Sequence, residues 1–452
     1  MRADPILDAF AHLVGRDAHA PLVASPRGSA TRGEVDAMAT GLASRLASLG
    51  VTPGTTVLLT APNGAGFLAG IVGCRRAGLV PALCDRAAPL VERDRIARAL
   101  GAAVEVAGDD AFPRDPAALV VRETGTAARP TAGDYVKITS GTSGEPGGVA
   151  VGAEALAADD DQLAASMGLA AEDRFLAAIP WSHSYGLSSL MLPALRRGSL
   201  LVLPGEGGPW SPLAAARAFE ATVFPTVPVY LRAIVEIAPR DAWPPSLGKV
   251  VSAGARLAPD DARAFRERFG RPAHVFYGAS ECGGITYDRE GGAAERGTVG
   301  TPVEGVTIRL EDGTIVVTSA AVASGVFRTA DRGEWCGEEL RLLGRLDAVI
   351  NVEGKKVDPA EVEGVLAGLS GVREAVVLGV PAAGFGKEIV RAVIAREPGR
   401  LSYEEVASWC RSRLAPHKVP RSIVLVDAIP RTARGKVARA ALLALPVHKD
   451  AT

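Results

Sequence analysis

The sequence predicts an α/β protein, with a large N-terminal domain of layered α/β structure and a smaller α+β domain after it. Short apolar strands alternate with helices from about residue 33 to about residue 310, which implies layers packed on a largely parallel sheet. After Gly344 the texture changes to a separate α+β pattern of about a hundred residues. The 452 residues suggest roughly three domain-sized units at about 150 residues each, and α/β units often exceed that size.

Each element has a local reason. Residues 33 to 49 read as a helix because Val35, Met38, Ala39, Leu42, Leu46 and Leu49 recur at helical spacing. Pro53-Gly54 breaks the chain, and Val57-Leu58-Leu59-Thr60 reads as a short buried strand. A second apolar helix spans about 65 to 77, and Val80–Leu83 is the next strand. The Ala-rich stretch 153 to 165 reads as a helix. Its run Asp159-Asp160-Asp161 lacks spaced carboxylate partners, so a solvated helix face is expected there rather than a metal site. In the C-terminal part, 376–380 and 389–394 read as strands. Residues 402–414 read as a helix opened by a Ser402-to-Glu405 capping box, and 423–426 as a further strand.

Composition narrows the function. Hydrophobic residues make up 48% and charged residues 22%, enough for a sizeable core in a globular chain. Fifty basic and 51 acidic residues leave a net charge of -1, so no nucleic-acid partner is expected. The start, Met1-Arg2-Ala3-Asp4-Pro5, lacks the pattern of a signal peptide, and no run approaches a membrane span of roughly 20 apolar residues. The five cysteines are scattered without a C-x-x-C pair, so neither a zinc site nor a disulfide framework is expected, and a cytoplasmic home is.

One segment stands out chemically. In Tyr135-Val136-Lys137-Ile138-Thr139-Ser140-Gly141-Thr142-Ser143-Gly144-Glu145-Pro146-Gly147-Gly148-Val149 a strand runs into a loop dense in glycine and hydroxyls. Glycine lets backbone N–H groups approach an anion closely, and Ser and Thr add donors, which suits a polyphosphate. The Gly-Lys-Ser/Thr ending of a Walker loop is missing. The alternative is an ordinary loop. A second segment, Tyr277-Gly278-Ala279-Ser280-Glu281, offers a ring that can stack, a hydroxyl and a carboxylate able to hold Mg²⁺. Read alone, it is a strand end with a surface acid. It is also one glycine short of a Gly-x-Ser-x-Gly elbow, which leaves a Ser280 hydrolase as a rival.

The two segments resemble the phosphate loop and the Tyr-Gly-x-Thr-Glu signature of the adenylate-forming superfamily, and the chain is most similar to AMP-dependent acyl-CoA synthetases. Three further segments match in order, so the resemblance covers nearly the whole chain. They are Phe327-Arg328-Thr329-Ala330-Asp331, Leu343-Gly344-Arg345-Leu346-Asp347 with the loop to Val357, and Pro430-Arg431-Thr432-Ala433-Arg434-Gly435-Lys436. The resemblance implies an N-terminal adenylation domain, 1–345, and a mobile C-terminal domain, 348–452, with the active site at their interface. It implies ATP, Mg²⁺ and coenzyme A as cofactors, a small carboxylic acid as substrate and a phosphopantetheine carrier protein as the alternative acceptor.

Residue roles follow from the same resemblance. Thr139, Ser140, Gly141, Thr142, Ser143 and Gly144 would cradle the phosphates. Tyr277, Gly278, Gly254 and Ala255 would hold the adenine side. Ser280 would contact the adenylate phosphate, and Glu281 would bind the metal. Asp331 would accept from the ribose hydroxyls, and Arg345 would contact ribose or phosphate. Lys436 would bridge carboxylate and α-phosphate during adenylation, Asp347 would be the hinge, and Gly354 would lie on the pantetheine path. Trp181, His183, Val227, Ser252, Ala253 and Ala279 would line the acid pocket. Gly283 and Gly284 would leave space there for an elongated apolar or aromatic acid. Amino-acid-activating relatives hold the α-ammonium with an Asp in the region 175–198, and this sequence has none there. The lysine that usually follows the loop proline is Gly147 here. That departure raises a non-catalytic relative as an alternative, which Glu281, Asp331, Arg345 and Lys436 oppose.

Overall fold

The computed structural model describes residues 3–140, 146–205, 211–345, 350–352, 355–381, 388–397, 401–432 and 437–446. Two compact units emerge. The first is Met1–Ile308 with Val317–Phe327 and Cys336–Leu340, and the second is Arg309–Val316 and Arg328–Trp335 with Arg341–Thr452.

The first unit carries two large sheets. One has nine strands in the order Thr301–Pro302, Gly283–Tyr287, His274–Ala279, Lys249–Ser252, Val223–Thr226, Arg174–Leu176, Leu200–Val202, Pro21–Ser25 and Gly28–Thr31. Its inner pairings, from His274–Ala279 across to Pro21–Ser25, are parallel, and both margins close with antiparallel pairs. The other has six strands, Val120–Glu123, Val104–Ala107, Thr56–Thr60, Val80–Leu83, Tyr135–Ser140 and Pro146–Val151. Parallel pairing again occupies its middle. The alternation of short strands and helices therefore yields the layered α/β arrangement that the sequence predicts.

Local chemistry explains the element ends. The helix Arg32–Ser48 starts where Thr31 accepts from the Glu34 amide while the Glu34 carboxylate accepts from the Thr31 amide. Such a cap stabilises a helix by about 1 kcal/mol. Val35, Met38, Ala39, Leu42 and Leu46 are buried as their spacing requires, whereas Leu49 lies just past the end and is exposed. The helix Ala65–Arg76 packs beside it with its first ten residues buried.

The acidic run departs from expectation. Asp159 and Asp160, on the helix Ala153–Met167, are buried, and Asp161 alone is exposed. Asp160 pairs with Arg196 at 2.6 Å and Arg197 at 2.5 Å. Asp159 accepts from the Ser188 hydroxyl at 2.7 Å and the Gly284 amide at 2.8 Å. A solvated face is thus the wrong reading for two of the three. Their partners come from 29 to 125 residues away, and no local spacing rule could find them.

In the second unit, Val372–Pro381, Glu388–Arg396 and Ser422–Val426 form a three-stranded sheet in that order. Period-two alternation sends Val377, Val390, Ala392, Ile394 and Ile423 into one core with Val362, Leu366, Val406 and Cys410. Leu378, Val380, Val393, Ala395 and Val424 enter another core with Ile429 and Leu442. The helix Tyr403–Arg411 opens with the expected Ser402–Glu405 capping box. Buried Arg391 donates to Ser422 Oγ at 3.0 Å and to the Leu443 carbonyl at 3.1 Å, which ties the helix Arg439–Ala444 to the sheet. No helix among the described residues is long and apolar enough to cross a membrane.

Glu363, on the helix Pro359–Ala367, accepts from the Val377 amide at 2.8 Å. Burial pushes its carboxyl up to about 7 from 4.5, and the Val377 bond and Arg439 oppose the shift only in part. Between those values the folded state holds a proton that the unfolded chain releases, so stability falls as pH rises through the window. Glu363→Gln should remove that dependence. The wild type should lose up to about 3 kcal/mol of hydrogen-exchange protection in Val372–Pro381 between pH 4.5 and 7. Equal pH profiles for variant and wild type would count against it.

Candidate active site

The antiparallel pair His274–Ala279 and Gly283–Tyr287 is joined by the turn Ser280-Glu281-Cys282. Gly283 has φ +71°, and a Cβ there would strike the Asp159 carboxylate, so the turn closes this tightly only with glycine. Cys282 is buried, and burial pushes its thiol up to about 12 with Glu281 and Asp159 adding in the same sense, so it remains a thiol. Glu281 is half-buried at the tip.

Ser280 is the meeting point of three elements. Its hydroxyl lies 2.7 Å from the Ser184 hydroxyl, and its carbonyl accepts from Lys137 Nζ at 3.1 Å. Ser184 opens the turn Ser184–Gly186, which continues as a wide π-helical turn, Leu187–Met191. Such turns are frequent at functional sites. Asn63 fixes the approach to this loop. Its Nδ2 donates to the Ile179 carbonyl at 2.9 Å, and its Oδ1 accepts from the Trp181 amide at 3.0 Å. His183 is half-buried here, whereas Trp181 is fully buried, edge-on to Phe67 at 6.1 Å. The Trp181 ring therefore belongs to the core behind the loop. A serine hydrolase would need a general base on Ser280, but the hydrogen-bond partner of its Oγ is another hydroxyl.

The remaining pocket residues sit at the carboxyl ends of parallel strands. Thr226 and Ser252 face each other in register and are followed by Val227, Ala253, Gly254 and Ala255. The crevice beyond such strand ends is where open α/β sheets bind ligands. Gly254 has φ +80°. Tyr185 donates to the Val251 carbonyl at 2.7 Å. Tyr277, opposite Thr286, is half-buried, with Gly278 and Ala279 next on the strand. Gly283 and Gly284 do not open space for an acid. A Cβ on Gly284 would meet Leu163 at 2.7 Å and Phe276 at 3.1 Å, so these glycines admit close packing instead.

Thr139, next to last in the strand Tyr135–Ser140, is half-buried. The side chain of Ser140 and all of Gly141, Thr142, Ser143 and Gly144 lie outside the described residues, as do Asp347, Gly354 and Lys436. Gly147 pairs with Thr139, is not among the left-handed glycines, and has room for a Cβ at 3.4 Å from Thr139 Oγ1.

In the second unit, Arg345 approaches Asp331, with Nη1 3.5 Å from Oδ1. Asp331 donates its amide to Thr329 Oγ1 at 3.1 Å, and Thr329 donates to the Ile315 carbonyl at 3.0 Å, so a small network fixes the backbone that carries this carboxylate. The two residues that sequence reasoning missed are Lys137 and Asn63. A single lysine inside the apolar strand Tyr135–Ser140 was the available signal for the first. Asn63 left none, because its partners are more than a hundred residues away. Among the described residues no group of three His, Cys, Asp or Glu side chains is arranged to hold a metal by itself. A lone carboxylate such as Glu281 still fits Mg²⁺, which typically takes one or two protein carboxylates plus substrate phosphates.

Comparison with known proteins gives the family. Over 91% of this chain and 92% of its own length, a long-chain-fatty-acid–CoA ligase from Mycobacterium tuberculosis is 26% identical. A feruloyl-CoA synthase from Amycolatopsis is 27% identical over 93% and 94%. ATP-bound MatB from Rhodopseudomonas palustris superposes with a TM-score of 0.81 at 23% identity, covering 97% of this chain and 98% of that one. The o-succinylbenzoate CoA synthetase of Bacillus subtilis in complex with its acyl-adenylate intermediate reaches 0.80 at 24% identity, covering 100% and 99%. Residues 10–325 match the AMP-binding enzyme family and residues 361–436 match its C-terminal domain, and the chain belongs to that family.

Proposed function

We propose that this enzyme activates a carboxylic acid of fatty or aryl type, not an α-amino acid, and transfers it to the thiol of coenzyme A. ATP and acid first give acyl-AMP and pyrophosphate, and thiolate attack on the acyl carbon then displaces AMP. The single observation that carries the reading is the convergence on Ser280. Through its carbonyl it is joined to the phosphate-loop strand, through its hydroxyl to the His183–Ser184 loop, and through the backbone to Glu281. Nucleotide, acid and metal functions would thereby share one turn. The relatives named as fatty-acyl and feruloyl ligases support the acid class. So does the sequence between residues 175 and 198, which has no Asp where amino-acid-activating relatives hold the α-ammonium.

In this reading the residues divide the work by charge. Thr139 and the loop through Gly144 hold the phosphates, and Glu281 holds Mg²⁺, which when bound draws charge from the phosphate oxygens. Asp331 accepts from the ribose hydroxyls beside Arg345. Lys436 brings carboxylate and α-phosphate together, because two anions approach only with a cation between them. We assign ATP and acid binding to 1–345 and the catalytic lysine to 348–452, and we place the enzyme in the cytoplasm.

A pyrophosphate-release panel across fatty, aryl and amino acids, with and without coenzyme A, tests the proposal. Fatty or aryl acids should release pyrophosphate and yield a CoA thioester. Transfer to a holo-carrier protein but not to free coenzyme A would replace the acceptor. No acid-dependent release would make the chain a nucleotide-binding relative without activity.

Gly147→Lys should lower KM for ATP and leave kcat of adenylation within a few-fold. The β- and γ-phosphates are charged before and during reaction, so a cation there helps ground and transition states alike. Gly147 is not among the left-handed glycines, and a Cβ there would meet only Thr139 Oγ1, at 3.4 Å, so the substitution is compatible with the fold. A kcat increase of orders of magnitude, measured by pyrophosphate exchange at saturating ATP, would show instead that the natural loop limits the chemistry.

A further inference from the structure

We propose that Lys137 is a positioning residue for the Ser280–Glu281 turn, and that Lys137 and Asp159 grip the two ends of that turn. The inference rests on the ligase reading above, in which Glu281 holds the metal. Lys137 belongs to the six-stranded sheet and the turn to the nine-stranded sheet. Its ammonium crosses between them and donates to the Ser280 carbonyl at 3.1 Å, while the residue is only 3% exposed. Asp159, 1% exposed, accepts from the Gly284 amide at 2.8 Å on one oxygen and is held by Ser188 at 2.7 Å on the other. One charged group thus fixes the residue that enters the turn and the other fixes the strand that leaves it, with Glu281 between.

A buried ammonium carries an effective desolvation penalty of several kcal/mol. An apolar side chain would fill the strand without that penalty, as Val136 and Ile138 do on the other face, where they join a separate core. Strand alternation puts Lys137 and Thr139 on one face. The lysine therefore links the strand that carries the first phosphate-loop hydroxyl to the turn that carries the metal carboxylate. Without the link, the Glu281 carboxylate is offered at an unfixed height. ATP alone would still bind, but the Mg²⁺-dependent part of binding and the chemical step would weaken.

The test compares Lys137→Met, Lys137→Gln and Glu281→Gln in the full chain. ATP binding is measured by calorimetry with and without Mg²⁺ and in the absence of acid, together with kcat and KM for adenylation and a thermal melt. The expected result for folded Lys137→Met is unchanged ATP affinity without Mg²⁺, a Mg²⁺-dependent gain reduced about tenfold, and kcat lower by roughly 10², the usual scale for a misplacement of about 1 Å. Lys137→Gln, which retains an N–H donor, should fall between Lys137→Met and wild type. A folded Lys137→Met or Lys137→Gln with wild-type kcat and wild-type Mg²⁺ dependence overturns the proposal, even where the melt is lowered. Failure of both to fold assigns Lys137 to the fold and overturns it as well. Glu281→Gln separates the two readings. If it loses the Mg²⁺ dependence while the lysine variants keep it, only the positioning role fails. If it too keeps the dependence, the metal role of Glu281 fails first.

Discussion

Lys436→Ala should slow acyl-adenylate formation by roughly 10²–10³ and leave thiol transfer from preformed acyl-adenylate within a few-fold. The asymmetry follows from where charge moves. In adenylation a carboxylate oxygen attacks the α-phosphorus, and two anionic groups must reach bonding distance. A cation between them stabilises the charge that gathers in the transition state, and a neutral backbone N–H does not replace a full positive charge there. In thiol transfer the phosphate leaves as part of AMP and the nucleophile is a thiolate, so the same lysine has no developing contact to strengthen. Pyrophosphate exchange reports the first half-reaction. Single-turnover thioester formation from synthetic acyl-adenylate reports the second. Equal losses in both would refute the assignment of Lys436 to adenylation alone.

How much of this was legible in the sequence depends on the range of the interaction. Elements set by local patterns appear where expected: the strand Val80–Leu83, the helix after Thr31 and the capped helix after Ser402 each carry their own periodicity or cap. The Tyr277–Glu281 segment was legible because its residue types sit side by side in the chain. What holds it was not. The Ser280 contacts to Ser184 and Lys137 span 96 and 143 residues, and the Asp159 contact to Gly284 spans 125. An aspartate run on an Ala-rich helix looks solvated until Arg196 and Arg197 are folded against it, because burial of a charge depends on its partner and not on its neighbours in sequence. Gly283 and Gly284 mislead for the same reason. A missing side chain reads as empty space, yet Asp159, Leu163 and Phe276 fill it.

Glu281→Gln should raise the Mg²⁺ concentration needed for half-maximal adenylation by an order of magnitude or more, and lower the rate at moderate Mg²⁺ by roughly 10². The amide keeps the shape of the side chain and one carbonyl oxygen but loses the negative charge. For a hard divalent cation that charge is most of what a protein ligand contributes, since water already offers neutral oxygens at higher concentration. The half-exposed position of Glu281 means that the change should move stability by no more than about 0.5 kcal/mol, so a kinetic defect cannot be blamed on unfolding. The turn geometry makes the experiment clean as well. Ser280 is tied to Ser184 and Lys137 through atoms that the substitution leaves untouched, and Gly284 is tied to Asp159. The amide is therefore presented where the carboxylate was. At saturating Mg²⁺ part of the rate should return, because mass action can refill a weakened site. A Glu281→Gln enzyme whose Mg²⁺ titration coincides with that of the wild type would remove Glu281 from the metal site. The phosphate loop would then have to hold the metal without it.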